Sequence, residues 1–357
     1  MSHPYESLPN HAFWRRAVAE AGDALMPVTG DFLRLTREDR VMTAGSCFAQ
    51  HIGRNLQAAG FNYLVTEQAH PIVPPAVAKA AGYGMFTARY GNIYTTTQLV
   101  QLIERAYGRF SPAETVWEGS DGRLVDPYRP TIQPGGYGSE AELAHDRAIH
   151  LACVRDALET LDVFVFTLGL TESWISAADG AAFPLCPGVS GGRFDPARHR
   201  FHNLRASEVR AELGAALAAL RRVNPRARIL LTVSPVPLTA TASPAHVLAA
   251  TGYSKAVLRV AAQEAADELD EVWYFPSFEI VTGPQARGRF FAPNLREVTA
   301  EGVAAVMGIF LRATAGVDLP APDPVAPAPA DPAPQTAAGW VEAMCDEAML
   351  DRSGDDR

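Results

Sequence analysis

Apolar residues are patterned in two ways along this chain. Short, nearly continuous apolar runs occur at 40–44 (RVMTA), 162–167 (DVFVFT), 227–233 (ARILLTV) and 272–275 (VWYF). Runs of this length predict strands buried on both faces, as in a parallel sheet. Between them lie longer segments whose apolar residues recur every three or four positions: 50–59, 96–107 (Leu99, Leu102 and Ile103 on one side), 140–161, 205–223, 252–269 and 299–313. That spacing predicts helices with one buried face. A further strand is expected at 62–65 and a short helix around 12–21. Strands alternating with helices predict an α/β fold: a three-layer, doubly wound parallel sheet covered on both faces.

Three stretches interrupt the alternation. Residues 108–140 are rich in Gly, Pro and aromatics and read as a long, lid-like loop insertion. Residues 183–204 read as a second irregular insertion. Residues 318–336 (DLPAPDPVAPAPADPAPQT) are nearly all Pro, Ala and Asp, a composition that builds no core. The organisation expected is an N-terminal arm (1–35), an α/β domain (36–314), a Pro/Ala-rich linker (315–336), and a short amphipathic helix and tail (337–357). Trp340, Met344 and Leu350 are the apolar residues of that last segment. It would either dock on the domain or serve as a peptide for a protein partner.

Composition narrows the classes of function. A net charge of −9 with scattered basic residues gives no electrostatic case for nucleic acid. The four cysteines (Cys47, Cys153, Cys186, Cys345) match no zinc or CxxC spacing and read as free thiols. The first residues lack a basic-then-apolar leader, and no apolar run is long enough to span a membrane, so a cytoplasmic protein is expected. No phosphate loop, HExxH or EF-hand pattern is present, so neither metal nor nucleotide cofactor is expected.

The segment Gly45-Ser46-Cys47-Phe48-Ala49 joins the first predicted strand to the first predicted helix. A hydroxyl there sits at a strand's carboxyl end and at a helix N-terminus, where unpaired N–H groups favour an anion. Ser46 is therefore the first candidate nucleophile, with Cys47 beside it; the plainer reading of Ser46 is a helix cap. The same five residues spell the signature of GSCFA-domain proteins, which resemble SGNH (GDSL-like) hydrolases. The resemblance continues through YGNIYT (90–95), TLGLTESW (167–174), SPVP (234–237), YSKAVL (253–258), YFPSFEI (274–280) and RFFA (289–292).

The resemblance implies a flavodoxin-like sheet and a serine esterase or O-acyltransferase that works through an acyl-serine intermediate. The substrate would be a small-molecule or carbohydrate ester, with an acyl donor for transfer. Ser46 would attack, while the Ser46 backbone, Gly91 and Thr171 would serve the oxyanion. Asn92, Glu172, Trp174, Arg289, Asn294 and Arg296 are candidate substrate contacts. Trp174 would stack on a sugar ring, Glu172 would accept from a substrate hydroxyl or hold an arginine, and the arginines would clamp an anion.

The chain departs from the family's Asp-x-x-His after RFFA. Asn294 stands at the aspartate position and Glu297 at the histidine position. The base would then be Glu297 or a histidine from elsewhere: His246 first, His51 second, with His199 and His202 in a loop able to approach the site. The alternative is a non-catalytic glycan-binding or assembly protein on the same fold.

Overall fold

A computed structural model describes residues 3–317. The expected linker after residue 317 and the C-terminal helix lie outside them. In chain order the elements are β1 (Val41–Gly45), α1 (Cys47–Ala58), α2 (Pro75–Ala80), α3 (Thr96–Ala106), β2 (Trp117–Glu118), β3 (Leu124–Val125), α4 (Glu140–Thr160), β4 (Val163–Leu168), β5 (Glu172–Ser176) and β6 (Ala182–Phe183). There follow β7 (His199–Asn203), α5 (Ala206–Val223), β8 (Arg228–Val233), α6 (Val247–Glu268), β9 (Val272–Phe275), α7 (Ser277–Thr282) and α8 (Ala300–Ala315).

The central sheet is parallel, in the order β1-β4-β8-β9. Alternate residues of each strand face opposite layers. Met42, Ala44, Phe164, Phe166, Ile229 and Leu231 face one layer, where Leu99, Leu158, Leu217 and Leu258 bring in α3, α4, α5 and α6. Val41, Val163, Val165, Leu230 and Phe275 face the other, against Phe48 and Ile52 of α1, Ile280 of α7 and Phe310 of α8. This is the three-layer α/β architecture expected.

Beyond β1 the expected strand at 62–65 is reduced to a single parallel bridge, Val41 to Tyr63. Val41 N–H donates to Asn62 O at 2.9 Å and Leu64 N–H to Val41 O at 2.9 Å. The chain thus leaves β1 toward one side of the sheet and returns on the other as β4. That makes the carboxyl end of β1 the topological switch point, the usual ligand position in open α/β sheets.

Three expectations change. The N-terminal helix is instead a series of one-turn segments, including Arg15–Ala19, none of which buries a residue. Residues 183–204 are not wholly irregular: β7 pairs antiparallel with β5, which also pairs with β6, making a separate sheet of three strands. The stretch 108–140 is no loose lid. It carries the β2–β3 hairpin, buries Trp117 and Tyr128 against Phe183, and is held by buried ion pairs from Asp126 and Arg129.

Candidate active site

β1 ends where only glycine fits. Gly45 has φ +133°, and a Cβ there would lie 2.2 Å from the Thr167 carbonyl oxygen. The next residue, Ser46, is extended (φ −67°, ψ 175°) and opens α1. Its N–H donates to Thr167 O at 3.1 Å, continuing the sheet pairing, and its carbonyl accepts from Ala49 N at 2.8 Å. The side chain does not cap the helix. Ser46 is 3% exposed, and its Oγ has no hydrogen-bond partner. Cys47, the next residue, is buried.

A strap at 90–95 crosses this corner. Tyr90 OH donates to Thr43 O, Ile93 N–H donates to Gly45 O at 2.8 Å, and Tyr94 O accepts from Gly169 N at 3.1 Å and Leu170 N at 3.0 Å. Gly91 has φ +72°, and its N–H makes no hydrogen bond. Asn92 Oδ1 accepts from Gln50 Nε2 on α1 at 3.0 Å. Gly169 closes the other side: a Cβ there would lie 3.2 Å from Ser46 Cβ and 3.0 Å from Tyr94 O.

The turn after β4 is fixed by α6. Thr171 N–H donates to Ser254 Oγ at 3.0 Å, and Lys255 Nζ, buried, donates to Gly169 O at 2.6 Å. Thr171 Oγ1 donates to Asn203 Oδ1 at 2.7 Å. Two of the three expected oxyanion donors, the Ser46 N–H and the Thr171 hydroxyl, are therefore engaged, and Gly91 retains a free N–H.

Among the described residues, no imidazole or carboxylate is within hydrogen-bond distance of Ser46 Oγ. Glu297 is exposed in the turn 291–298, where its N–H and that of Arg296 donate to Asn294 Oδ1, both at 3.0 Å. His246 is exposed and caps α6, its Nδ1 accepting from Leu248 N at 3.2 Å. His51 lies half-buried on α1 against the Phe48 ring. Burial, and then the charge of Arg54, push its imidazole down to about 4, so it is neutral near pH 7. His199 pairs with Glu114 and His202 with Glu208, in the second sheet and at the start of α5.

The expected substrate contacts are mostly occupied. Trp174 packs edge-on against Phe194 (centroids 5.1 Å apart) and against Phe201. Glu172 accepts from Thr241 Oγ1 at 2.6 Å and from Ala242 N, and burial pushes its carboxyl up. Neither a sugar nor an arginine is needed to explain these two side chains. Arg289 is exposed, beside Glu301 at 3.4 Å. Lys255 and Ser254, which fix the turn behind Ser46, were missed as site residues. The visible signal was their place in the YSKAVL segment of a predicted helix.

The model of the GSCFA family matches residues 40–310. The chain belongs to the GSCFA family. The match runs from the residue before β1 into α8, so it takes in both layers of helices and the Ser46 corner. No curated protein and no solved structure matches this GSCFA protein. Among the described residues no helix is long and apolar enough to cross a membrane.

Proposed function

We propose that this GSCFA protein is an SGNH-like serine esterase or O-acyltransferase acting on an O-acylated substrate, a carbohydrate ester foremost. The observation that supports it is the buried, unpartnered Ser46 hydroxyl at the switch point of the sheet. A buried hydroxyl normally finds a partner, and one left open at a ligand-binding edge is a group held for substrate. Ser46 attacks the ester carbonyl, an acyl-serine forms as the alcohol leaves, and water or an acceptor hydroxyl releases the acyl group. The Gly91 N–H is the open oxyanion donor, and Thr171 contributes if its hydroxyl turns from Asn203.

The proton of Ser46 needs an acceptor. Glu297 and His246 serve only if the turn 291–298 or the loop before α6 moves inward. Lys255 is tied to this corner by its bond to Gly169 O, and serine–lysine pairs are a known variant of the serine nucleophile site. The absence of an imidazole or carboxylate on Ser46 Oγ is the observation that favours the second reading, a glycan-binding or assembly protein on the same fold. The protein is read as cytoplasmic and free of metal.

The deciding experiment is labelling with a fluorophosphonate probe beside hydrolysis of p-nitrophenyl acetate and acetylated oligosaccharides. An adduct mapped to Ser46, with turnover lost in Ser46→Ala, is the expected result. Lys255→Met, Glu297→Gln and His246→Ala then identify the base. Folded protein with neither adduct nor turnover would leave the binding role.

A further inference from the structure

Beside the strap, the protein holds a small cavity lined in part by Tyr90, Asn92 and Ile93. Its walls include Asn92, Gln98, Arg105, Tyr128, Arg129 and His150, and it is partly open to solvent. Its free volume is about 30 Å³, more than the roughly 10–15 Å³ that one water needs, and its open side leaves room for a small ligand of a few heavy atoms.

The cavity borders a dense buried ion cluster. Arg129 Nη2 lies 3.1 Å from Asp126 and 2.8 Å from Asp146; Arg89 bonds Asp146 at 3.0 Å and Glu67 at 3.5 Å; Arg147 lies 3.2 Å from Asp126. His150 Nδ1 is 2.7 Å from Glu67 Oε2. With Arg105 included, four guanidinium groups face three carboxylates, Glu67, Asp126 and Asp146. His150 adds no charge near pH 7: burial, and then the charge of Arg129, push it down to about 4 against its bond to Glu67.

The surplus charge resides on Arg105. This residue is 8% exposed, yet among the described residues its guanidinium makes no hydrogen bond or ion pair, and Asp126 acts on it only at longer range. It is stacked 4.1 Å from the centroid of the Tyr128 ring. Two more groups at the wall are open. His150 is 1% exposed and its Nε2 has no partner. With Nδ1–H donated to Glu67, that Nε2 is an acceptor. The Gln98 Oε1 accepts from Tyr94 N and Thr95 N, which leaves its amide N–H groups unbonded. A buried cation with no anion in hydrogen-bond contact is costly, and the planar fork of an arginine matches a carboxylate.

We propose that this cavity is a subsite for a hydroxy-carboxylate. Its carboxylate sits on Arg105 and Gln98 Nε2, and its hydroxyl donates to His150 Nε2. The free volume admits the acid end of a ligand and not a whole sugar ring. Because the subsite is read by binding, it stands or falls apart from any chemistry at Ser46.

The test is calorimetric titration of the full chain with glycolate, acetate, glycolamide and inorganic phosphate at constant ionic strength. Saturable glycolate binding is expected, with acetate weaker for want of the hydroxyl and glycolamide inert for want of the charge. Arg105→Gln should lower glycolate affinity about 30-fold, the worth of a charge-assisted hydrogen-bond pair. Should that variant not fold, Gln98→Glu keeps the oxygen that caps α3 and supplies the missing carboxylate. It should raise the melting temperature without ligand and abolish glycolate binding. Three results overturn the assignment: no saturable glycolate binding, which leaves a cavity holding water only; glycolamide binding as well as glycolate; or phosphate binding more tightly than glycolate.

Discussion

Around Arg129 every oxygen of Glu67, Asp126 and Asp146 accepts at least one hydrogen bond or ion pair. At Ser46, equally buried, the hydroxyl accepts and donates nothing. The first region joins pieces far apart in the chain: the loop at 67, the strap at 89, the 108–140 insertion and α4. The second is three consecutive residues, Gly45 to Cys47, set at the end of one strand. Saturated carboxylates mark a region whose task is to hold the insertion in place. An open valence marks a group kept for something absent.

The comparison can be broken most forcefully at Arg129. Arg129→Met removes the central guanidinium from buried Asp126 and half-buried Asp146, leaving them Arg147 and Arg89, and should cost about 3 kcal/mol in chemical denaturation. A loss below 1 kcal/mol would mean that the cluster is not what secures the insertion.

Acid should act next, at His150 in the same region and at His51 on α1. His150 and His51 are pushed down to about 4, so both stay neutral in the folded protein where the unfolded chain, with histidines near 6.5, takes up protons. Stability therefore falls as pH drops from about 6.5 to about 4, by up to about 1.4 kcal/mol per pH unit for each histidine. Further loss follows below that, through Asp126. Burial raises this carboxyl, but the guanidinium groups of Arg129, Arg147 and Arg105 outweigh it and hold it well below its usual range. Melting curves across this range, with His150→Gln flattening the upper part, check the prediction.

Smaller effects sharpen the serine side. Gly169→Ala pushes a methyl against Ser46 Cβ and Tyr94 O and should cost about 1–3 kcal/mol, slowing any labelling of Ser46. Ser46→Ala removes an unsatisfied hydroxyl, so its melting temperature should be unchanged or raised, by no more than about 1 kcal/mol in stability. A marked destabilisation would show that the hydroxyl is structural.

The central sheet was legible because its strands are buried on both faces and so read as apolar runs; β9 falls at the predicted residues. The second sheet was not. β7 (HRFHN) carries no apolar alternation, and its pairing with β5 is settled by partners about 30 residues away. Ser46 was legible because strand, glycine and helix are contiguous there. The ion cluster was hidden because its members are scattered from Glu67 to His150 and each resembles a surface charge until the fold gathers them. One trace was available: Arg105 falls within the predicted helix at 96–107, and the structure places it, buried, on the same side as Leu102.

The pairing of Ser46 N with Thr167 O spans more than 120 residues of chain. Arg40, just before β1, is likewise tied to Asp162, just before β4. A ribosome adding 5–20 residues per second would therefore deliver the serine strand roughly 6–25 s before the strand that completes it. Until then β1 has only the short bridge at Tyr63. Its five buried residues are then an exposed apolar segment on a nascent chain, and the Ser46 corner cannot close until β4 has emerged.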